Sequence, residues 1–305
     1  MSPGYSFLRD GVESLGESLD PAACQALYDR VLADRSFSPE MFLSEPVYRS
    51  NPQNRRVNPI QGERNLIERY DLAAIERSPG FVAAMARVLG RGYRLERRKF
   101  VVSLPQKWVP DWVRKEVDGV ASANINPYVH EEFRDVTYMQ GIDFHQDMID
   151  FRDREPDFVT CYIYLAPVGV DDSPIHLVPG SHRLGGTVFP HDLRVLDVGG
   201  SRILYRADPE HQAELPIHRL TGPGGTGFLW HSCMLHGTRP HMGSLPRISI
   251  RYIAQKDPSD SDTLLDRANR ELLRPGSLPV TRVDVDESGV VRDRRNTIST
   301  AIAAG

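Results

Sequence analysis

The sequence predicts a mainly β protein, a sandwich or jelly roll beneath a helical cover. Three observations predict it. Between about 119 and 255, short β-branched and aromatic runs alternate with Pro/Gly turns: SANINPYV, VTYMQGIDFHQ, DFVTCYIYLAPV, PIHLVPGS, ILYRA, GTGFLWHSCMLHG and RISIRYIAQ. Helical periodicity falls on the two flanks of this region. No internal repeat or low-complexity tract divides the 305 residues, so the chain reads as a single domain in three parts. These are an N-terminal helical cover with loops (1–118), a β core (119–255), and a C-terminal helix and hairpin (256–305).

Each element has a local reason. Over 21–34, apolar residues at Ala23, Leu27, Val31 and Leu32 follow a helical spacing, with Asp20 as N-cap and Pro21 in the first turn. Residues 37–65 are rich in Pro, Asn, Ser and Arg and read as a long loop. GFVAAMARVL (80–89) predicts a second helix that ends at Gly90. RRKFVVSLP (97–105) predicts a strand, and KWVPDWVRKEV after it a short helix or lid. Beyond 258, DTLLDRANRELLR reads as a helix, followed by a hairpin around Asp286, Glu287, Ser288 and Gly289.

Composition narrows the function. The chain is 40% hydrophobic and 26% charged, with 24 glycines, which suits a globular core and excludes a disordered or collagen-like chain. Lys+Arg number 37 against 41 Asp+Glu, for a net charge of -4, so no general basic surface exists to bind nucleic acid. No run approaches ~18 apolar residues, so no membrane span is expected. The first residues, MSPGYSFLRDGVESLGESLD, lack a basic-then-apolar pattern, and the expected location is the cytoplasm. Cys24, Cys161 and Cys233 are far apart and form no CxxC, which predicts free thiols in a reducing compartment. Cys161 and Cys233 read as core packing.

The sharpest chemical feature is Gly141-Ile142-Asp143-Phe144-His145-Gln146-Asp147. On a strand, i and i+2 share a face, so His145 and Asp147 aim a nitrogen and a carboxylate at one point. That supplies two members of a two-histidine, one-carboxylate facial site, the arrangement that holds non-heme Fe(II) with open positions. Of ten histidines, His236 is chosen as the third because it ends the predicted strand GFLWHSCMLH, and an antiparallel return brings Arg247 into its neighbourhood. His231 and His241 remain alternatives. Arg247 offers a planar, permanently charged fork for the far carboxylate of a dicarboxylate co-substrate. Arg251 shares its strand face. Pro179-Gly180-Ser181-His182 reads as a structural turn, and Trp108, Trp112 and Trp230 as core or pocket lining.

Together these residues resemble the phytanoyl-CoA dioxygenase-like family of Fe(II)/2-oxoglutarate-dependent oxygenases. FHQDMIDF (144–151) resembles the family's His-x-Asp block. SPIHLVPGSHR (173–183) is similar to the segment between the ligands, with Ser173 in place of the usual glycine. GTGFLWHSCMLHGTRPHMGSLPR (225–247) resembles the block with the distal histidine, a hydroxyl two positions later and an arginine eleven positions after it, here His236, Thr238 and Arg247. The resemblance implies a double-stranded β-helix (jelly-roll, cupin-like) core. It implies Fe(II) held by His145, Asp147 and His236, with 2-oxoglutarate and O2 as co-substrates and 2-oxoglutarate gripped by Arg247 and Thr238. Family members also use an amide on the preceding strand and a hydroxyl on the following one. Ser122, Asn124 and Asn126 are expected on one face, with Asn126 the choice, and Thr160, Tyr162 and Tyr164 on another, with Tyr162 the choice. The reaction so implied is oxidation of an unactivated C–H, with release of succinate and CO2. Asp147, where related halogenases carry a small residue, points to hydroxylation, desaturation or ring formation. Asp150, Arg152, His231 and His241 near the metal block point to a small, polar substrate. The other readings of the same residues are a cupin-like metal- or sugar-binding module without turnover and a zinc-dependent hydrolase.

Overall fold

Residues buried on both faces of their strands organise the molecule. In the computed structural model, which describes residues 4–16, 19–51, 65–151, 154–197, 199–273, 282–284 and 296–298, the strand Phe158–Tyr164 is buried at every position. Thr160, Tyr162 and Tyr164 point to one side, while Val159, Cys161 and Ile163 join a core packed under the helices. A strand reads as continuously apolar or aromatic when both its faces are covered.

Numbered in chain order, the strands are β1 (Val12–Ser14), β2 (Arg94–Ser103), β3 (Ser122–Asn124), β4 (Thr137–His145), β5 (Phe158–Tyr164), β6 (Ile175–Leu177), β7 (Asp192–Val195), β8 (Arg202–Arg206), β9 (Gln212–Pro216), β10 (His218–Leu220), β11 (Gly227–His231), β12 (His236–Thr238) and β13 (Arg247–Gln255). A curled sheet runs β1-β11-β5-β13-β2-β4-β12-β6-β10, with β3 paired to β4. Every pairing in it is antiparallel except the short parallel β2–β4 contact, where the sheet folds over. The two layers enclose a second core of Val12, Tyr162, Tyr164, Ile175, Leu177, Phe228 and Trp230. This is the predicted jelly roll. A meander of β7, β8 and β9 forms a small separate sheet.

The helical cover is α1 (Phe7–Asp10), α2 (Pro21–Asp34), α3 (Glu45–Ser50), α4 (Ala73–Glu76), α5 (Pro79–Leu89), α6 (Asp111–Val117) and α7 (Leu264–Arg270). Asp20 caps α2 by accepting from Ala22 N at 2.9 Å, and α5 ends at Gly90, both as the sequence predicts. Thr263 and Asp266 form a reciprocal capping box on α7. No helix among the described residues is long and apolar enough to cross a membrane. The three cysteines are buried and free.

Several expectations need correction. The assigned β core begins too late, because β1 and β2 both belong to its sheet. The loop predicted over 37–65 contains a 3-10 turn (Pro39–Met41) and α3, while 52–64 lie outside the described residues. The hairpin around 286–289 lies outside them as well. GFLWHSCMLH is two strands, β11 and β12, separated by a turn, so His236 opens a strand instead of ending one. Asp147 is not on the strand of His145. It opens a 3-10 turn (Asp147–Asp150) just past the end of β4.

A candidate non-heme iron site inside the jelly roll

The site is assembled where β4 and β12 meet. His236 stands opposite His145 in the ladder, with ring centroids 4.1 Å apart. The 3-10 turn after β4 carries Asp147 to within 3.6 Å of His236 Nε2. One ligand atom from each of His145, Asp147 and His236 lies within 4.8 Å of the other two. Gly237 permits the close approach: a Cβ there would meet Ile298 Cδ1 at 2.4 Å and the carbonyl of Ile142 at 2.7 Å.

The donor set suits a metal. His145 Nδ1 lies 3.0 Å from the Asp143 carbonyl and His236 Nδ1 3.0 Å from the Met234 carbonyl. A carbonyl only accepts, so each Nδ1 carries the proton and each Nε2 presents its lone pair. Burial, and for His145 also the neighbouring His236, pulls both imidazoles below their ordinary range and keeps them neutral. Burial alone would raise the Asp147 carboxyl, but the charge of Arg251 outweighs it and holds the group as a carboxylate, well below its usual range. Its two oxygens are held apart: Arg251 donates to Oδ1 and Trp230 Nε1 donates to Oδ2 at 3.2 Å.

Arg247 lies on the same inner face of β13 as Arg251 and is only 4% exposed. It donates to Ser103 Oγ at 2.7 Å and Ser249 Oγ at 3.3 Å, its Nε has no partner, and no carboxylate faces it among the described residues. Thr238 is buried with an unpartnered Oγ1. The chain of Ser103 Oγ, Ser173 Oγ (3.5 Å away) and the Arg239 carbonyl (2.6 Å further) connects Arg247 to the residue after Thr238. Ser173 has φ 55°, the left-handed backbone that favours glycine. Tyr162 lies opposite Arg251 in the ladder, feels the charge of both arginines and stacks on Trp230 with centroids 5.7 Å apart.

Asn126 does not join the site. It opens a 3-10 turn instead of extending β3, and its amide is used on the backbone, donating to Val136 O at 2.6 Å and accepting from Tyr138 N at 2.8 Å. The expected hairpin between His236 and Arg247 is also absent: β12 pairs with β4 and β6, and β13 with β2 and β5. His231 is tied to Asn269 and Cys233 N, and His241 to the carbonyls of Asp171 and Leu245. Arg152 lies outside the described residues. Trp230, read from the sequence as core or pocket lining, is a hydrogen-bond donor to Asp147, and Ser103 and Ser249 were missed; alternation along β2 and β13 was the available signal.

A His–Asp–His cluster inside a jelly roll is a donor set that could hold a metal ion. Residues 128–249 match the model of the phytanoyl-CoA dioxygenase (PhyH) family, which bears out the resemblance drawn from the three sequence blocks. No curated protein matches the sequence. Among solved structures, AviO1 from Streptomyces viridochromogenes Tue57 is 17% identical, covering 84% of this chain and 94% of its own, with a TM-score of 0.42. EctD from S. alaskensis with bound Fe is 16% identical, covering 90% and 85%, with a TM-score of 0.43. The epimerase SnoN in complex with Fe3+, alpha ketoglutarate and nogalamycin RO is 15% identical, covering 90% and 93%, with a TM-score of 0.49. At such values the likeness says nothing of this chain's substrate.

Proposed function

We propose that the protein hydroxylates, or otherwise oxidises, an unactivated C–H of a small polar metabolite. In this reading His145, Asp147 and His236 hold Fe(II), and Arg247, Thr238 and Tyr162 receive 2-oxoglutarate. Iron bound there would activate O2 with 2-oxoglutarate as reductant, yielding succinate and CO2. The protein's share is positional. Asp143 O and Met234 O orient the two imidazoles, and Trp230 and Arg251 fix the plane of the Asp147 carboxylate. The inner core of aromatic and aliphatic residues excludes water from the reacting centre. Asp147 itself favours hydroxylation over halogenation, since it fills the position a halide would need.

One observation carries this reading: Arg247 is a buried cation without a carboxylate partner among the described residues, in the same barrel interior as the His–Asp–His cluster. An uncompensated buried charge costs several kcal/mol, so a bound anion is its expected counterpart. A passive metal-binding module or a zinc hydrolase gives Arg247 and the orphaned Thr238 hydroxyl no role. Anaerobic addition of Fe(II) and then 2-oxoglutarate tests it. A visible charge-transfer band should form with wild type and not with His236→Ala. A band of equal strength in that variant would reject the ligand assignment.

A further inference from the structure

Opposite Arg251 in the β2–β13 ladder stands Lys99, its ammonium without a hydrogen-bonded or ion-pair partner among the described residues. Directly opposed like charges destabilise a sheet unless an anion lies between them. Burial first, and Arg251 second, pull the Lys99 ammonium down to about 8. Arg251 is engaged by Asp147; Asp150, whose charge acts on both Lys99 and Arg251, is half exposed and lies 3.7 Å from Arg282, which Asp284 holds at 2.6 Å.

Counting charges on the oxygenase reading leaves this end of the barrel positive. Iron(II), Asp147, dianionic 2-oxoglutarate and Arg247 sum to zero. Arg251 and Lys99 remain against the half-exposed Asp150, one positive charge in excess, in a chain whose net charge is -4. The surplus is not explained by the far end of the same co-substrate. Arg247 faces Ser103, four residues along β2 from Lys99, or about 13 Å of strand. The four C–C bonds of 2-oxoglutarate span only about 5 Å. Lys99 is instead level with Arg251, whose guanidinium holds Asp147.

We propose that the primary substrate is a small organic acid whose carboxylate or phosphate ion-pairs with Lys99, on the inner face of β2 opposite Arg251. This rests on the oxygenase reading and adds the substrate's charge to it. Ion pairing at Lys99 anchors one end of the molecule and leaves its C–H bonds over the His–Asp–His cluster.

Anaerobic calorimetry tests this with acetate and inorganic phosphate as probes, on protein loaded with Fe(II) and saturating 2-oxoglutarate. At least one probe should bind wild type, about tenfold or more weaker in Lys99→Met, with recovery in Lys99→Arg. The tighter probe tells carboxylate from phosphate. Iron and 2-oxoglutarate affinities should change less than about twofold in Lys99→Met, because Lys99 touches neither. Equal probe binding by wild type and Lys99→Met, or no binding of either probe to wild type, overturns the proposal. A parallel loss of 2-oxoglutarate affinity in Lys99→Met overturns it too, by assigning the lysine to the co-substrate. If wild type binds no 2-oxoglutarate but still binds phosphate or acetate through Lys99, the oxygenase reading fails and the anion site stands.

Discussion

Replacing Arg247 by Met should leave the stability of the free protein nearly unchanged while binding of 2-oxoglutarate collapses. Methionine keeps most of the aliphatic volume and removes the charge. In the co-substrate-free protein, the guanidinium is 4% exposed, is held by two serine hydroxyls at 2.7 and 3.3 Å, and faces no carboxylate among the described residues. Exchanging an unpaired buried charge for an apolar group of similar size is typically neutral or stabilising by about 1–4 kcal/mol. Freeing the hydroxyls of Ser103 and Ser249 costs about 1 kcal/mol each. The free protein's stability should therefore change by no more than about 2 kcal/mol in either direction. Binding of 2-oxoglutarate should fall by about 2–4 kcal/mol, or roughly thirty- to a thousandfold, for loss of a bidentate charge-assisted contact. Arg247→Lys should recover little of it, since an ammonium lacks the parallel fork. Urea titration without co-substrate and anaerobic 2-oxoglutarate titration with Fe(II) read the two effects separately. A loss of more than about 3 kcal/mol of stability would make Arg247 a structural brace, and unchanged 2-oxoglutarate affinity would place the clamp elsewhere.

Other perturbations follow from the same geometry. Trp230→Phe removes the indole donor from Asp147 Oδ2 and should weaken Fe(II) binding about ten- to a hundredfold, measured by anaerobic metal titration. Gly237→Ala drives a methyl group into the carbonyl of Ile142 and Ile298, and should cost about 1–3 kcal/mol by urea unfolding while lowering iron affinity. Acid should destabilise the fold early. Burial pulls His176 and His231 down to about 4 and His182 and His191 down to about 3. Their folded values lie below the unfolded one, so this stability is complete above about pH 6.5 and is lost as pH falls toward 4. The slope reaches about 5 kcal/mol per pH unit for four groups. Urea midpoints that stay constant from pH 7.5 to 4.5 would contradict the assignment of four neutral buried histidines.

Much of the fold is legible because it is local. Asp20 and Gly90 mark helix ends through capping chemistry, and the period-2 pattern of FVTCYIY separates Thr160, Tyr162 and Tyr164 from the residues under the helices. The His145–Asp147 pair is legible as a motif, although its convergence comes from a strand end and a 3-10 turn, not from two positions on one strand. Pairing between distant segments is not written in any window. Nothing near Val12 or Arg94 announces that β1 and β2 join the sheet formed mostly by residues beyond 119. For the same reason His236 and Arg247 looked like hairpin neighbours, whereas they belong to different layers of the jelly roll. Asn126 shows the limit of period-2 reasoning: β3 stops at Asn124, Pro127 sits in the 3-10 turn Asn126–Tyr128, and the Asn126 amide turns back to satisfy Val136 and Tyr138. The pairing of Arg251 with Asp147 needed three dimensions, since 104 residues separate them.

The central claim is that His145, Asp147 and His236 support oxidative turnover of 2-oxoglutarate. Its most direct test is succinate formed against O2 consumed, by purified protein given Fe(II) and 2-oxoglutarate, with and without a screen of small organic acids. The account predicts one succinate per O2, a rate raised by the right acid, and loss of both signals in a folded His236→Ala protein. Succinate formation that is undiminished in His236→Ala, or no Fe(II)-dependent succinate from wild type under any of these conditions, would contradict it.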